Sequence, residues 1–293
     1  MKFFDKLHPA AALVYFVVVI TLTMFTSNPL VVGASFVFAV AFCGFYFTAR
    51  DMCGSLLLAL PLMVVIALVN PLFVHKGDTI LFFLNDNPVT KEAILYGINS
   101  SVMITAVYYW CKAYNRIVTS DKFVYLFGRV SPKLSLLLSL VIGFVPKFKR
   151  KYREIDEAQK ALGVYARGGY VDKLASKFRV LSILITDALE SSVMTADSMA
   201  ARGYGLRGRT SYSSFTFAPS DVFALTFVSA IGIAAIVLGA LKTGAFAFYP
   251  TLTALTFGTK ECAFYACVAC VFAYAALTEI GEELRWVYLK STI

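Results

Sequence analysis

The feature that most constrains this chain is a succession of long apolar segments with short polar links between them. Hydrophobic residues make up 59% of its 293 residues and charged residues only 15%, and the mean hydropathy is +0.72. A soluble domain of this length does not usually carry so much apolar side chain. A helix that crosses the hydrocarbon of a bilayer needs about 20 mostly apolar residues. The composition therefore indicates an integral membrane protein.

Six segments have the length and apolar character of transmembrane helices, or come close to it. They are Ala10–Phe25, Leu30–Thr48, Gly54–Val74, Ala93–Trp110, Asp221–Leu241 and Cys262–Ile280. The link Thr26-Ser-Asn28-Pro29 is a tight polar turn in which proline stops helix continuation, so the first two segments are predicted to form a hairpin. We expect an all-α integral membrane protein with about six transmembrane helices.

The excess positive charge of the chain is concentrated in one block. Residues 112–209 hold 18 Lys and Arg against 8 Asp and Glu. Because loops rich in Lys and Arg stay in the cytoplasm, this block and both termini are predicted to be cytoplasmic. The chain thus divides into four transmembrane helices at residues 1–111, a cytoplasmic helical coupling domain at 112–220, and two further transmembrane helices with a cytoplasmic tail at 221–293.

The cytoplasmic segment predicts two long amphipathic helices, each ending at a glycine. The first combines an apolar run that begins at Leu134 with a charged run that ends near Gly163, and Pro146 is expected to kink or restart it. In the second, apolar residues recur at helical spacing from Ser176 to the end of the helix near Gly203. The coupling domain is therefore expected to be built on these two helices.

Several enzyme classes are excluded by what the sequence lacks. The run Gly203–Gly208 matches the spacing of a dinucleotide-binding loop, but that loop follows a strand and opens a helix, whereas here a helix precedes it. No Walker-type phosphate loop occurs, so any ATP has to be bound by another polypeptide. The pair Glu282-Glu283 resembles part of a metalloprotease motif, but the only histidines, His8 and His75, lie far from it in the sequence.

The sequence gives little support to a metal site or an ion path within the membrane. Five of the six cysteines lie in or beside apolar runs, where a thiolate is costly, so packing is favoured over metal binding. Charged residues fall at the ends of the six segments, whereas ion-coupled carriers keep ionisable groups in the interior of their helices. Transport by these helices alone is therefore poorly supported.

The sequence Ala201-Arg202-Gly203 ends the second amphipathic helix. A small residue lets a helix end approach a partner closely, the guanidinium offers a planar fork to carboxylates or carbonyl oxygens, and glycine permits the αL conformation that stops a helix. An ordinary capped helix with a basic last turn, favoured by the macrodipole, fits the same residues. A docking tip and a plain helix end remain equally open from the residues alone.

A series of short motifs extends over nearly the whole chain. They are Leu7-His8-Pro9, Asn28-Pro29, Asn70-Pro71-Leu72-Phe73, Thr90-Lys-Glu-Ala93, Phe144-Val-Pro146, Ile155-Asp-Glu-Ala158-Gln159-Lys-Ala161-Leu162-Gly163 and Ala201-Arg202-Gly203-Tyr204-Gly205. Each is weak alone, but their order is specific. In this order the chain resembles the transmembrane T component of energy-coupling factor (ECF) ABC transporters, which serve vitamin and cobalt or nickel uptake.

The resemblance implies a role for both helix ends. In that family two cytoplasmic coupling helices each end in Ala-Arg-Gly, and the arginines insert into grooves on a pair of ATPase subunits. The second motif carries this role over to Ala201, Arg202 and Gly203.

The first motif departs from the family pattern. The position of the family's arginine is occupied by Leu162, and Ala166-Arg167-Gly168 places an arginine five residues later. On a continuous helix Arg167 would point roughly 140° away from Leu162. Arg167 is thus expected to replace the missing arginine only if Gly163 ends or bends the helix.

The resemblance also implies partners. They are two cytosolic ABC ATPases, which bind ATP and Mg²⁺, and a membrane-embedded S component, which captures a vitamin or a transition-metal ion. The chain itself is expected to be non-catalytic, to bind no cofactor, metal ion or nucleic acid, and to lie in the bacterial plasma membrane in contact with lipid. Leu181, Leu184 and Leu189 are expected to face the S component, with burial against the protein's own helices as the alternative for each.

Two rival classes remain. One is a stand-alone membrane channel or secondary carrier. The other is a membrane-tethered binder of nucleic acid or acidic lipid that uses the basic block. Asp and Glu residues interspersed through that block make it a mixed helical surface rather than a basic tract, which weakens the second rival.

Overall fold

A computed structural model describes residues 3–74, 76–84, 87–163, 169–206, 215–241, 243–254 and 257–292 of the chain. The elements in chain order are α1 Phe3–Lys6, α2 Pro9–Phe25, α3 Pro29–Tyr46, α4 Ala49–Phe73, β1 Ile80–Leu84, β2 Asn87–Thr90, α5 Lys91–Ile117, α6 Ser120–Val130, α7 Pro132–Ala161, α8 Tyr170–Ala201, α9 Pro219–Ala240 and α10 Thr259–Thr292. They form two compact units. We call residues 1–119 with 215–293 the membrane unit, and residues 120–214 the α6–α8 unit.

Each predicted transmembrane segment coincides with a helix of the membrane unit. By length and composition, α3, α4, α9 and α10 can cross a membrane, and α2 is apolar but shorter. The remaining predicted segment lies in α5, which has 27 residues and a more polar composition than the other five helices. Proline stands in the first turn of α2, α3 and α9, where its missing N–H costs nothing. The expected all-α, multi-pass membrane protein is confirmed.

An aromatic cluster forms the core of the membrane unit. Trp110 of α5 is fully buried, and its ring lies 6.1 Å from that of Tyr15 and 5.9 Å from that of Phe42. The indole N–H donates to the Ser35 hydroxyl at 3.0 Å, and Ser35 also bonds to the Thr23 hydroxyl at 2.7 Å. Large rings thus fill the space between α2, α3 and α5, and the Trp110 indole, Ser35 and Thr23 pair their buried polar atoms.

Two buried carboxylates fix the beginning of the chain to the last two helices. The Glu279 carboxylate of α10 accepts hydrogen bonds from the backbone N–H groups of Phe3 and Phe4, at 3.3 and 3.1 Å, and from the Tyr46 hydroxyl. The Asp221 carboxylate of α9 accepts from the His8 N–H at 3.2 Å and from the N–H of its own N-cap residue at 2.9 Å. The Glu279 carboxylate thus caps the start of α1 from within α10, and the Asp221 carboxylate caps the start of α9.

At the other end of the unit, Asn28 ties the first turn to the last link. Its side chain accepts from the Leu30 N–H at 3.0 Å and so caps α3. Its amide donates to the Gly244 carbonyl at 2.9 Å and to the Tyr265 hydroxyl at 2.8 Å. The α2–α3 turn, the α9–α10 link and α10 are thus joined through one buried side chain.

Glycine allows α4 and α5 to approach closely. A Cβ atom at Gly97 of α5 would lie 2.7 Å from the Ala67 carbonyl oxygen and 3.2 Å from the Asn70 Cβ, both in α4. Small residues at crossing points are the usual means of close packing between membrane helices. This contact requires glycine at position 97.

Three local features differ from the sequence expectations. The link before α5 contains the antiparallel hairpin β1–β2, with Phe82 opposite Val89, because a short run of aromatic and aliphatic residues favours an extended strand over a helix. Helix α7 passes through Pro146 without ending, so it does not restart there, because one missing N–H bond does not stop a long helix. A kink at Pro146 stays a prediction. Helix α10 continues through the predicted tail to Thr292.

Replacing Glu279 with Ala removes the shared acceptor of two backbone N–H groups and one hydroxyl. Since hydrogen bonds to a buried charge are strong, we expect the free energy of unfolding to fall by about 3 kcal/mol. The measurement is unfolding of the protein in mixed micelles by a denaturing detergent, followed by tryptophan fluorescence. Glu283→Ala, at an exposed position of the same helix, should change stability by less than about 0.5 kcal/mol; equal stability of the two variants would contradict the capping role.

Candidate functional site

The candidate site lies on two long antiparallel helices of the α6–α8 unit. Lys151 Nζ of α7 lies 3.2 Å from Asp187 Oδ1 of α8. Phe144 of α7 and Thr195 near the end of α8 line the same groove. Phe144 of α7 thus faces the late part of α8 while Lys151 faces Asp187, so the two helices run antiparallel.

The end of α8 adopts a capping geometry that requires glycine. Arg202 is the first residue beyond the helix, and Gly203 follows with φ of +76°. The Gly203 N–H donates to the Ala200 carbonyl at 2.9 Å, and the Tyr204 N–H donates to the Met199 carbonyl at 3.0 Å. These two bonds form a Schellman motif, in which glycine takes the αL conformation without steric cost. The predicted end of the helix at Gly203 is confirmed.

The end of α7 has the same backbone geometry. Leu162 follows Ala161 with φ −75° and ψ 0°, and Gly163 has φ of +73°. The Gly163 N–H donates to the Lys160 carbonyl at 3.0 Å. The two helix ends therefore present the same cap with different side chains, leucine at the first and Arg202 at the second.

The second candidate motif near α7, Ala166-Arg167-Gly168, lies outside the described residues. The condition on which it depends is met, because α7 ends at Gly163 rather than continuing through it. The helical angle that would turn Arg167 away from Leu162 therefore does not apply.

The Arg202 side chain is exposed. Within the part of the chain that the structure describes, its guanidinium has no ion-pair or hydrogen-bond partner. Near the end of α7, by contrast, Lys160 Nζ lies 2.6 Å from Asp156 Oδ2, and the hydrogen bond and charge of Asp156 raise the pKa of Lys160. The cation at the end of α8 is thus available for an external acceptor, whereas Lys160 is already engaged.

The three leucines predicted at a protein interface do not share one environment. Leu181 and Leu189 are exposed, whereas Leu184 is half-buried. Leu184 lies one helical turn before Ala188, which lines the groove toward α7. Burial against the protein's own helix therefore applies to Leu184 and not to the other two.

Exposed apolar residues recur at helical spacing on both long helices. On α8 they are Leu174, Phe178, Leu181, Ile185 and Leu189, and on α7 they are Leu134, Leu137, Val141, Val145 and Phe148. The first set, which we call the α8 stripe, covers roughly four turns or about 22 Å of helix. Contiguous apolar surface of this extent marks an interaction site with protein or lipid.

Sequence reasoning missed the groove between α7 and α8. It has a volume of about 230 Å³, and the ion pair of Lys151 with Asp187 is part of its lining. Helical periodicity within α8 identifies its apolar face but does not show which residues of α7 lie opposite its polar face. The signal that could have located the groove was a basic residue at a matching position on the antiparallel partner helix.

The comparison with protein families decides which class of protein carries this site. The family model described as cobalt transport protein, CbiQ, matches residues 2–212. The chain belongs to the CbiQ family. The matched region contains α1 to α8 and therefore both helix ends, and α9 and α10 lie beyond it. The resemblance to the T component of ECF transporters is confirmed, and this CbiQ-family chain is a membrane component of that transporter class.

Two curated relatives share one name, which refers to the energy-coupling factor transporter. The chain is 24% identical over 247 residues to the energy-coupling factor transporter transmembrane protein EcfT of Streptococcus thermophilus, a match that covers 79% of this chain and 92% of the relative. It is 33% identical over 103 residues to EcfT of Streptococcus equi subsp. equi, covering 34% and 38% of the two chains. The longer match extends over most of both proteins.

Replacing Gly203 with Ala tests the cap at the end of α8. Alanine in the αL conformation is strained by about 1 kcal/mol, and its Cβ would lie 3.0 Å from Leu206 Cδ1. We expect faster hydrogen exchange of peptides from residues 198–206, measured by mass spectrometry. Gly143→Ala, a helical position of α7 with open space around a Cβ, should leave exchange of these peptides unchanged, and unchanged exchange in both variants would contradict the assigned cap.

Proposed function

We propose that this CbiQ-family chain is the energy-coupling transmembrane subunit of an ECF-type ABC importer. The observation that carries the proposal is the pair of long helices that end in the same glycine cap, one of them with an exposed, unengaged Arg202. A rigid helix that ends in an exposed guanidinium is suited to insert into a groove lined by carboxylates or carbonyl oxygens. The family membership and the names of the relatives agree with this role.

In the proposed mechanism the energy comes from ATP that partner proteins bind and hydrolyse. Two cytosolic ABC ATPases bind ATP and Mg²⁺, and their closure moves the helix end at Arg202. The antiparallel pair α7 and α8 moves as one body, because the Lys151–Asp187 ion pair and the packing between the helices join them. The chain itself is proposed to be non-catalytic and to bind no cofactor.

The end of α7 is proposed to make the other ATPase contact. Leu162 at the cap is 75% exposed and offers an apolar side chain in place of an arginine. Arg167 remains the candidate for the missing charge, since Gly163 ends the helix before it. Ala166 and Gly168 complete this candidate motif.

The substrate is proposed to be captured by a membrane-embedded S component and to be a vitamin or a transition-metal ion. The exposed leucines of the α8 stripe, Leu181 and Leu189, are the proposed contacts for that component. Covering an exposed apolar stripe with a membrane protein removes it from water and contributes stability in proportion to its area.

The orientation in the membrane follows from charge. The α6–α8 unit contains most of the basic block, and the positive-inside rule supports the proposal that this unit and both termini lie in the cytoplasm of the bacterial cell. The two ATPases are reached only from that side.

Arg202→Glu is expected to abolish ATP-driven uptake by the assembled transporter, because it reverses the charge that enters the ATPase groove. The measurement is uptake into proteoliposomes, with co-purification of the ATPases in parallel. Arg179→Glu, an exposed arginine of the same helix, is the matched control and should retain both. Unchanged uptake in Arg202→Glu would contradict the site assignment, and uptake by the lone reconstituted chain would favour a stand-alone channel or carrier.

Charges on the α8 stripe are expected to release the S component alone. In the double variant Leu181→Asp and Leu189→Asp, a partner would have to bury two carboxylates without acceptable pairing, so co-purification of the S component should be lost while the ATPases remain bound. Met194→Asp is the control, since Met194 is exposed on roughly the opposite side of α8. Retention of the S component by the double variant would exclude the stripe as its binding surface.

A further inference from the structure

Strand β1 in the link between α4 and α5 carries an exposed apolar surface that the proposed function does not use. Ile80, Leu81, Phe82 and Phe83 are each more than half exposed. Successive side chains of a strand point to opposite faces, so Phe82 and Phe83 leave both faces of β1 apolar and uncovered. A protein partner seated on one face would leave the other exposed, whereas lipid surrounds both.

The exposure of β1 is held in place by its surroundings. The partner strand β2 packs on the ends of α4 and α5, and Val89 of β2 is buried. The Lys91 N–H donates to the Thr79 carbonyl at 3.0 Å, and the Thr79 hydroxyl donates to the Glu92 carboxylate at 2.5 Å. The base of the hairpin is thus clamped to the start of α5, with β1 on the outside.

Strand β1 follows a membrane-spanning helix closely in the chain. Helix α4, which is long and apolar enough to cross a membrane, ends at Phe73, and the Phe73 side chain is 78% exposed. The hairpin follows after a short link. Helix end and hairpin therefore meet the bilayer at the same level.

The free edge of β1 limits how deep the strand can lie. Among the described residues β1 pairs only with β2, so the backbone N–H and C=O groups along its other edge need water or headgroup partners. Unpaired backbone is excluded from hydrocarbon, but the interfacial region supplies such partners and favours aromatic side chains. The unpaired edge of β1 and its aromatic side chains therefore both favour a position at the headgroup boundary of the bilayer.

We propose that the β1–β2 hairpin is an interfacial anchor, whose strand β1 inserts Phe82 and Phe83 into the headgroup and upper acyl region of the bilayer at the α4–α5 end of the membrane unit. The clamp at Thr79 and Glu92 holds the start of α5 at that depth. The occupant of the apolar surface is phospholipid. This inference does not depend on the coupling role of the α6–α8 unit.

The test uses the full chain in phospholipid vesicles and tryptophan quenching by brominated lipids. Trp286 is first replaced by Phe, which leaves the fully buried Trp110 as a constant background. Phe83→Trp is then compared with Val64→Trp, an exposed position in the middle of α4. One set of vesicles contains lipid brominated near the headgroup end of the acyl chain, and another contains lipid brominated near the methyl end. Size-exclusion elution and circular dichroism confirm that each variant is folded.

We expect the tryptophan emission of the Phe83→Trp variant to be blue-shifted and to lose more intensity with the shallow bromine than with the deep one. The Val64→Trp variant should show the reverse order, and the background should show little loss with either lipid. Emission at the wavelength of water-exposed tryptophan, quenched by iodide and not by either brominated lipid, would overturn the proposal. Bromolipid quenching that is present in the lone chain and is lost only when partner subunits are added would still support lipid as the occupant in the lone chain. Absence of bromolipid quenching in the lone chain would overturn the proposal and identify β1 as a protein-docking edge.

Discussion

The carboxylate of Glu279 is the interaction on which the membrane unit depends. A charge buried between apolar helices is tolerated only when donors surround it, and here the donors are the backbone N–H groups of Phe3 and Phe4 and the Tyr46 hydroxyl. The same bonds therefore satisfy the charge and fix α1 and α3 on α10. Asp221 repeats the arrangement where the chain re-enters the membrane unit at α9. Both helices that follow the α6–α8 unit are thus anchored at the end where the chain begins.

The α6–α8 unit is stabilised differently from the membrane unit. Its long helices bury few side chains, and their stability within the unit comes from the α7–α8 seam and the Lys151–Asp187 pair rather than from a large core. An exposed ion pair of this kind contributes about 0–1 kcal/mol. The apolar stripe of α8 is exposed and is not buried in a core of this unit. An exposed apolar stripe gains stability when a partner covers it, which agrees with a subunit that acts inside an assembly.

Much of this architecture can be predicted from local patterns, and the remainder depends on contacts between distant residues. Runs of apolar residues identify the spans, and glycine after a helical pattern identifies the ends of α7 and α8. The roles of Glu279 and Asn28 require knowledge that residues more than 200 positions apart meet. Periodicity finds an apolar stripe on α8 but not which neighbour covers it, so Leu184 was grouped with Leu181 although it faces α7. The β1 strand was missed because a short apolar run has no decisive period.

The ends of α7 and α8 share a backbone geometry but differ in their side chains. Both caps place the residue before an αL glycine at the tip of a long helix, and the backbone angles at Leu162 and Arg202 are nearly the same. Any difference in how the two proposed ATPases respond would therefore come from side-chain chemistry rather than from helix geometry. A guanidinium makes directional, charge-assisted hydrogen bonds, whereas leucine contributes only contact area. On the proposed function, two such ends fit an asymmetric pair of sockets better than two identical ones, unless Arg167 supplies the second charge from beyond Gly163.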